Sequence, residues 1–138
     1  MPGPDTTNLG FLLAKASQRW NERLAEGFAA AGHPEVRPSY GSVLLPLWAE
    51  DALRMGQLAE RARLSKQTMT TLVRLCERDG LVDRAPDPED GRATVVSLTP
   101  RAKAFRSVAA EVIASLEAEV PARTRRDLAR ALREVMEM

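Results

Sequence analysis

Residues 58–98, LAERARLSKQTMTTLVRLCERDGLVDRAPDPEDGRATVVSL, restrict what this chain can fold into more than any other stretch. Apolar residues recur at helical spacing over 57–63 and again over 66–79, with only Leu64 and Ser65 between the two runs. Ser65 offers a hydroxyl cap for the second helix, and Gly80 stands where helices commonly end in a left-handed residue. Two short β-branched runs follow, 81–84 and 94–98, separated by APDPEDGRA, whose Pro, Asp and Gly residues suit a loop. A helix, a tight turn, a second helix and a hairpin with a charged loop make a module suited to duplex DNA. One helix enters a groove and the hairpin lies beside it.

The flanks are helical. Leu9, Leu12, Leu13, Ala16, Trp20, Leu24 and Phe28 fall on one amphipathic face, and Gly32 and Pro34 stop that helix. A shorter helix is expected over 39–49, with Val43, Leu44 and Leu47 apolar and Pro46 inside it. Leu53 and Arg54 are expected to form one rung of strand, and Gly56 to cap the helix that follows. Thr99-Pro100 is a strong helix start, continued by Phe105, Val108, Ala109, Val112, Ile113 and Leu116. Pro121 interrupts, and Leu128, Ala131, Leu132, Val135 and Met136 mark a last helix.

The fold class expected is mainly α, an α+β winged helix-turn-helix in a single domain, 1–138. Residues 39–99 form the DNA-binding lobe, and 7–34 and 100–138 the dimerisation helices. A stripe such as Val108, Val112, Ile113 and Leu116 needs a partner surface. Any one of these helices could pack on its own domain; the three together fit a shared two-fold interface.

Charge supports the placement of the lobe. The net charge is only +1, but residues 53–103 hold ten basic and seven acidic side chains, against four and six in residues 1–52. Attraction to phosphate needs such a local patch and not a high overall charge. No run of about 18 apolar residues offers a membrane span, and the opening MPGPDTTNLG lacks a basic-then-apolar signal. A single cysteine provides no disulfide within one chain. A cytoplasmic location without a membrane partner is expected. One histidine and one cysteine cannot furnish a tetrahedral metal site, and no Gly-rich phosphate loop or nucleophile elbow occurs. Neither enzyme activity nor a metal or cofactor is expected.

At roughly 100° per residue, Lys66, Gln67, Thr70, Thr71 and Arg74 share an arc of about 140°, opposite Met69, Leu72, Val73, Leu75 and Cys76. The polar arc carries the groups that read base edges and hold phosphates. Gln67 suits a bidentate pair with adenine, and Arg74 one with guanine or a phosphate. Thr68 is expected toward the packed side, bonded within the turn. In the loop, Arg92 suits a narrow minor groove, with Asp90 bracing its guanidinium. Asp87, Glu89 and Asp90 would repel DNA unless they point away or pair with arginine. The expected DNA contacts are Ser65, Lys66, Gln67, Thr70, Thr71, Arg74, Arg84, Asp90 and Arg92.

Extended to LAERARLSKQTMTTLVRLCERDGLVDRAPDPEDGRATVVSLTPRAKAF, the run resembles the MarR family of bacterial winged-helix transcriptional regulators, and the likeness covers nearly the whole chain. Asp90-Gly91-Arg92 matches the family's Asp-x-Arg wing signature, and Leu98-Thr99-Pro100 matches the start of the helix after the wing. The resemblance implies a homodimer built from the terminal helices, with the helix from Ser65 in the major groove and Arg92 at the minor groove or backbone. It also implies repression of nearby promoters, often relieved by a small phenolic or other aromatic anion. On that analogy an effector pocket between the dimer helices and the DNA lobe would draw on Trp20, Arg37, Tyr40 and Trp48. Core packing is the plainer role for both tryptophans, and a solvated loop the plainer one for His33.

Two departures stand out. Gly56 occupies a position where the family usually has Ser or Thr. The peroxide-sensing branch carries a reactive cysteine near the start of the first helix, whereas the thiol here, Cys76, lies on the packed face, where it would be inert. Redox sensing is therefore not expected. Two other readings remain open: a winged-helix protein-interaction module, and a low-specificity architectural DNA binder without ligand control.

Overall fold

In a computed structural model, which describes residues 3–138, most helix boundaries trace to an identifiable capping group. Met1 and Pro2, part of the expected 1–138 domain, lie outside the described residues. Helix α1 (Leu9–Ala30) starts at Asn8, whose Oδ1 accepts from the Phe11 amide at 3.0 Å. It ends with Gly32 at φ 93°, and the His33 amide donates back to the Phe28 carbonyl at 2.8 Å. After a 3-10 turn over Pro38–Tyr40, α2 (Gly41–Glu50) runs through Pro46. Strand β1 (Ala52–Arg54) leads directly into α3 (Met55–Ala62).

The cap of α3 is not Gly56. Arg54 is extended and starts the helix two residues earlier, and its amide donates to Gln57 Oε1 at 3.0 Å. Gly56 falls inside the first turn because the strand delivers the chain already in the cap conformation. Helix α3 closes with Arg63 at φ 56°, a side chain where glycine would be easier.

Helix α4 (Lys66–Arg78) ends in the same closure as α1, with Gly80 at φ 77° and the Leu81 amide on the Cys76 carbonyl at 2.9 Å. Strands β2 (Val82–Pro86) and β3 (Thr94–Leu98) form the hairpin. Helix α5 (Pro100–Glu117) is capped by Thr99, whose Oγ1 accepts from Ala102 N at 3.2 Å and donates to the Gly80 carbonyl at 2.7 Å. Helix α6 (Ala122–Met136) follows Pro121.

The sheet is antiparallel in the order β1-β3-β2, with Val96 of β3 opposite Leu53 on one side and Arg84 on the other. Its inner face meets α2, α3 and α4 in a core that includes Tyr40, Leu44, Leu47, Leu58, Met69, Val73, Leu81 and Val96, all buried. Burial of such aliphatic side chains is worth about 1.5–3 kcal/mol each and holds the lobe together. Helices α1 and α5 join this core through Phe28, Ala102, Phe105 and Ala109. The Phe28 and Phe105 rings meet edge-on at 5.3 Å. The two helices approach so closely that a β-carbon on Gly27 would lie 2.6 Å from Val112 Cγ1.

Two expectations change here. His33 is half-buried, its ring tilted by 60° against that of Phe105 with centroids 4.7 Å apart, because the turn after Gly32 folds it back over α5. Val108 and Val112 pack against this chain's own core, and Leu116 is buried, so much of that α5 stripe is covered without a second chain. Rows of uncovered apolar residues lie elsewhere, at Leu9, Phe11, Leu12 and Leu13 of α1 and at Leu128, Leu132, Val135 and Met136 of α6, with Leu45 of α2 and Met138 exposed singly. Among the described residues no helix is long and apolar enough to cross a membrane.

Candidate nucleic-acid interface

The start of α3, the exposed face of α4 and the hairpin enclose one open groove of about 580 Å³. Five cations line it, Arg54, Lys66, Arg74, Arg84 and Arg92, against the single carboxylate of Glu60. Three of the five are ion-paired at its rim, Arg54 with Asp87, Arg84 with Glu77 and Arg92 with Asp90, so Lys66 and Arg74 are the uncompensated charges among the described residues.

Helix α4 supplies one wall. Met69, Val73 and Cys76 are buried and Leu72 and Leu75 half-buried, which leaves Lys66, Gln67, Thr71 and Arg74 exposed. Among the described residues Lys66 and Arg74 make no ion pair. Ser65 Oγ accepts from the Thr68 amide at 3.1 Å and donates to Thr68 Oγ1 at 2.9 Å. Thr68 is thus bonded within the turn as expected, but it is exposed, because the first turn of α4 projects beyond the core. Thr70 Oγ1 donates to the Lys66 carbonyl at 2.8 Å and Thr71 Oγ1 to that of Gln67 at 3.2 Å. With those protons held by their own helix, both threonines offer lone pairs and methyl groups to a ligand.

The far end of α4 is tied to the rest of the chain. The Tyr40 hydroxyl donates to Asp79 Oδ2 at 2.6 Å, Arg78 approaches the same carboxylate at 3.3 Å, and Arg101 Nη1 donates to the Asp79 carbonyl at 2.6 Å. The Tyr40 bond, aided by Arg78, holds the Asp79 carboxyl below its ordinary range. Burial, and then the neighbouring Asp79, push the Tyr40 phenol up to about 12. Arg101 also pairs with Glu35.

The hairpin supplies the other wall. Arg84 Nη2 lies 3.0 Å from Glu77 Oε1 and so fastens β2 to α4. Arg92, with 94% of its side chain exposed, stands at the tip, and both its backbone amide (3.1 Å) and its Nε (3.3 Å) donate to Asp90 Oδ1. Asp87 is buried at the base of the loop, where its Oδ2 meets Arg54 Nη2 at 2.6 Å. Two of the three loop acids are therefore paired with arginine. The role of Arg54 is not expected from the sequence, since nothing in a local pattern shows that β1 will lie beside the loop; that of Gln57, three residues from the amide it accepts from, is local.

The expected effector residues fare differently. Tyr40 is fully buried, and Trp48 Nε1 donates to the Ala102 carbonyl at 3.0 Å beside Phe105, so both serve the core. Arg37 is exposed ahead of the 3-10 turn, and Trp20 is half-buried on α1. A cleft of about 430 Å³ lies between α1 and α5, but Arg23, Glu26, Gly27, Glu111, Val112, Ser115, Leu116 and Glu119 line it, and none of the four expected residues. Cys76 is buried, and burial raises its thiol to about 12.

Comparison with known proteins gives this geometry its setting. The model of the MarR family matches residues 43–93, the part that builds the groove. The HTH-type transcriptional regulator Mb0904 of Mycobacterium bovis, itself uncharacterized, is 35% identical over 99 residues, which cover 69% of this chain and 68% of that protein. The PcaV regulator of Streptomyces coelicolor, solved in complex with its natural ligand, is similar in structure at a TM-score of 0.81 and 25% identity, covering 99% of this chain and 98% of that one. A mutant MarR of E. coli complexed with operator DNA shares the fold at a TM-score of 0.75, with 20% identity over 92% of each chain. The chain spans only 50% and 38% of the lengths of two other curated regulators that it matches, from Bacillus subtilis and Methylorubrum extorquens. Matched in sequence across the groove and in fold along almost its entire length, the chain belongs to the MarR family of winged-helix, DNA-binding transcriptional regulators, which are not enzymes.

Proposed function

We propose that this protein is a cytoplasmic homodimeric repressor that binds a pseudo-palindromic duplex operator through α4 and the β2–β3 wing. The observation that carries the reading is the groove on the family's DNA-binding elements, lined by five cations of which Lys66 and Arg74 make no ion pair among the described residues. Phosphates would take up Lys66 and the arginine forks, Gln67 and Arg74 would reach base edges, and Arg92 would enter the minor groove. The terminal segments 7–34 and 100–138 make the dimer, which covers the apolar rows of α1 and α6, while 39–99 forms the DNA-binding lobe. A two-fold pairing sets two α4 helices about 34 Å apart, one turn of duplex. Release by a small aromatic or phenolic anion fits the family and the ligand-bound PcaV neighbour. Of the four pocket residues, Arg37 is exposed and Trp20 and Trp48 are half-buried, whereas Tyr40 keeps no surface for it.

The test uses a duplex selected by the protein from a random-sequence pool, titrated by fluorescence anisotropy. Arg74→Ala and Arg92→Ala should each weaken binding by about 1–3 kcal/mol. Unchanged affinity in both would refute the contacts. Random DNA should compete roughly 10³-fold less well; equal competition would make the protein an architectural binder. Absence of any duplex binding would leave the interaction module. Sedimentation as a monomer would overturn the dimer.

A further inference from the structure

The wing is rooted on Asp87, the one charged side chain buried among the described residues. Taking a carboxylate out of water is costly unless a partner compensates. Its Oδ1 accepts from the Glu89 amide at 3.0 Å, a turn bond that a neutral asparagine would make as well. What the charge adds is the second oxygen's contact, 2.6 Å to Arg54 Nη2.

Arg54 is held from both sides. Its amide donates to Gln57 Oε1 and its Cα is paired with Val95 in the sheet, so the stem starts from a fixed point. Asp87 then fixes the guanidinium. That side chain keeps 45% of its surface exposed and lines the groove with Lys66, Arg74, Arg84 and Arg92. A guanidinium carries five N–H donors, and Asp87 occupies one nitrogen. Among the described residues no other acceptor takes the rest.

We propose that Arg54 is a DNA-phosphate contact of this protein, and that Asp87 is the positioning residue that aims it. The inference rests on the duplex-binding reading above. An arginine fixed at one nitrogen by a carboxylate keeps its remaining N–H donors, in a limited range of directions, for a phosphate. The arrangement also couples wing to groove, since the loop that carries Arg92 folds around the residue that steers Arg54. The chemistry implies a contact with sugar-phosphate backbone, which sets register and affinity without naming a base.

The alternative, that Asp87 merely clasps the hairpin, makes an opposite forecast. Asp87→Asn removes one negative charge from a DNA-facing surface. By charge alone, affinity should rise and the dependence on salt should steepen. If Asp87 aims Arg54, affinity falls and the dependence flattens. The experiment titrates wild type, Arg54→Ala, Asp87→Asn and the double variant against the selected duplex across a salt series. Thermal unfolding checks each fold, and Arg54→Gln replaces the alanine variant if that one does not fold.

Arg54→Ala should weaken binding about tenfold or more and lower the slope of log affinity on log salt by about one phosphate. Asp87→Asn should weaken it about threefold or more despite the gain in positive charge, and should add nothing in the Arg54→Ala background. Equal or tighter binding by Asp87→Asn would overturn the proposal, as would an unchanged slope for Arg54→Ala. A loss from Asp87→Asn that persists in the Arg54→Ala background would reduce Asp87 to hairpin structure. Failure of the wild type to bind any duplex would remove the underlying reading, and this is seen before a variant is made.

Discussion

Replacing Tyr40 with phenylalanine tests whether the end of α4 is held by the bond that the structure shows. The change removes one oxygen from a fully buried ring and leaves the packing of the ring itself intact. Asp79 Oδ2 then retains only Arg78, whose Nη2 is 3.4 Å away. A hydrogen bond to an ionised group contributes about 1.5–3 kcal/mol. Asp79 keeps 15% of its side-chain surface, so water can replace part of what is lost, and the lower half of that range applies, about 1.5–2 kcal/mol.

The pH dependence follows from both partners. Asp79 has its folded pKa below the unfolded value of about 3.9, so its contribution is complete above that pH and is lost as pH falls through the folded value. Tyr40 has its folded pKa raised to about 12, so its contribution is complete below about 10 and is lost as pH rises toward 12. The deficit of Tyr40→Phe should therefore be largest between about pH 5 and 9 and shrink at either extreme. Urea unfolding at fixed protomer concentration, repeated from about pH 3 to about pH 11 so that both extremes are sampled, measures it. A deficit under about 0.5 kcal/mol at pH 7, or one that does not change with pH, would refute the reasoning.

Three further outcomes are expected. Gly27→Ala should destabilise the fold by about 1–3 kcal/mol through overpacking against Val112, with recovery in the Val112→Ala background; absence of recovery would mean the close approach is not the cause. Cys76, whose thiol is raised to about 12, should be about 10⁻⁵ thiolate at pH 7. Peroxide should leave duplex binding unchanged, and a thiol reagent should react only at the rate of unfolding; rapid labelling of the native protein would contradict its burial. Asp51, at φ 71° and ψ −61° between α2 and β1, should gain about 1 kcal/mol on replacement by glycine, read as a raised unfolding midpoint.

The elements legible in the sequence were those specified by neighbours along the chain. Asn8 was not singled out, but Gly32, Ser65, Gly80 and Thr99 mark helix ends by chemistry that acts within four residues, and Met69, Val73 and Cys76 show the buried face of α4 by their spacing. Asp90 and Arg92 are two apart, so their bond was accessible to inspection. What escaped depends on contacts across the fold. Helix α3 is capped at Arg54 because β1 ends there, and β1 exists because β3 returns to pair with it. Asp87 finds Arg54 by the same route. Tyr40 is expected at a pocket and Trp48 there or in the core, and the hydrogen-bond partners that tie both to the interior, Asp79 and Ala102, are supplied only by the tertiary structure.

The junction at Gly80 gives the molecule a lever. Thr99 and Arg101, at the root of α5, hold the carbonyls of Gly80 and Asp79, so α4 and α5 meet in a joint with little slack. Helix α5 has 18 residues, a rod about 27 Å long. Rocking such a rod by about 5° displaces one end by about 2 Å relative to the other. That travel exceeds the tolerance of a hydrogen bond, so a slight shift of α5 where it crosses α1 is passed on to the exposed face of α4.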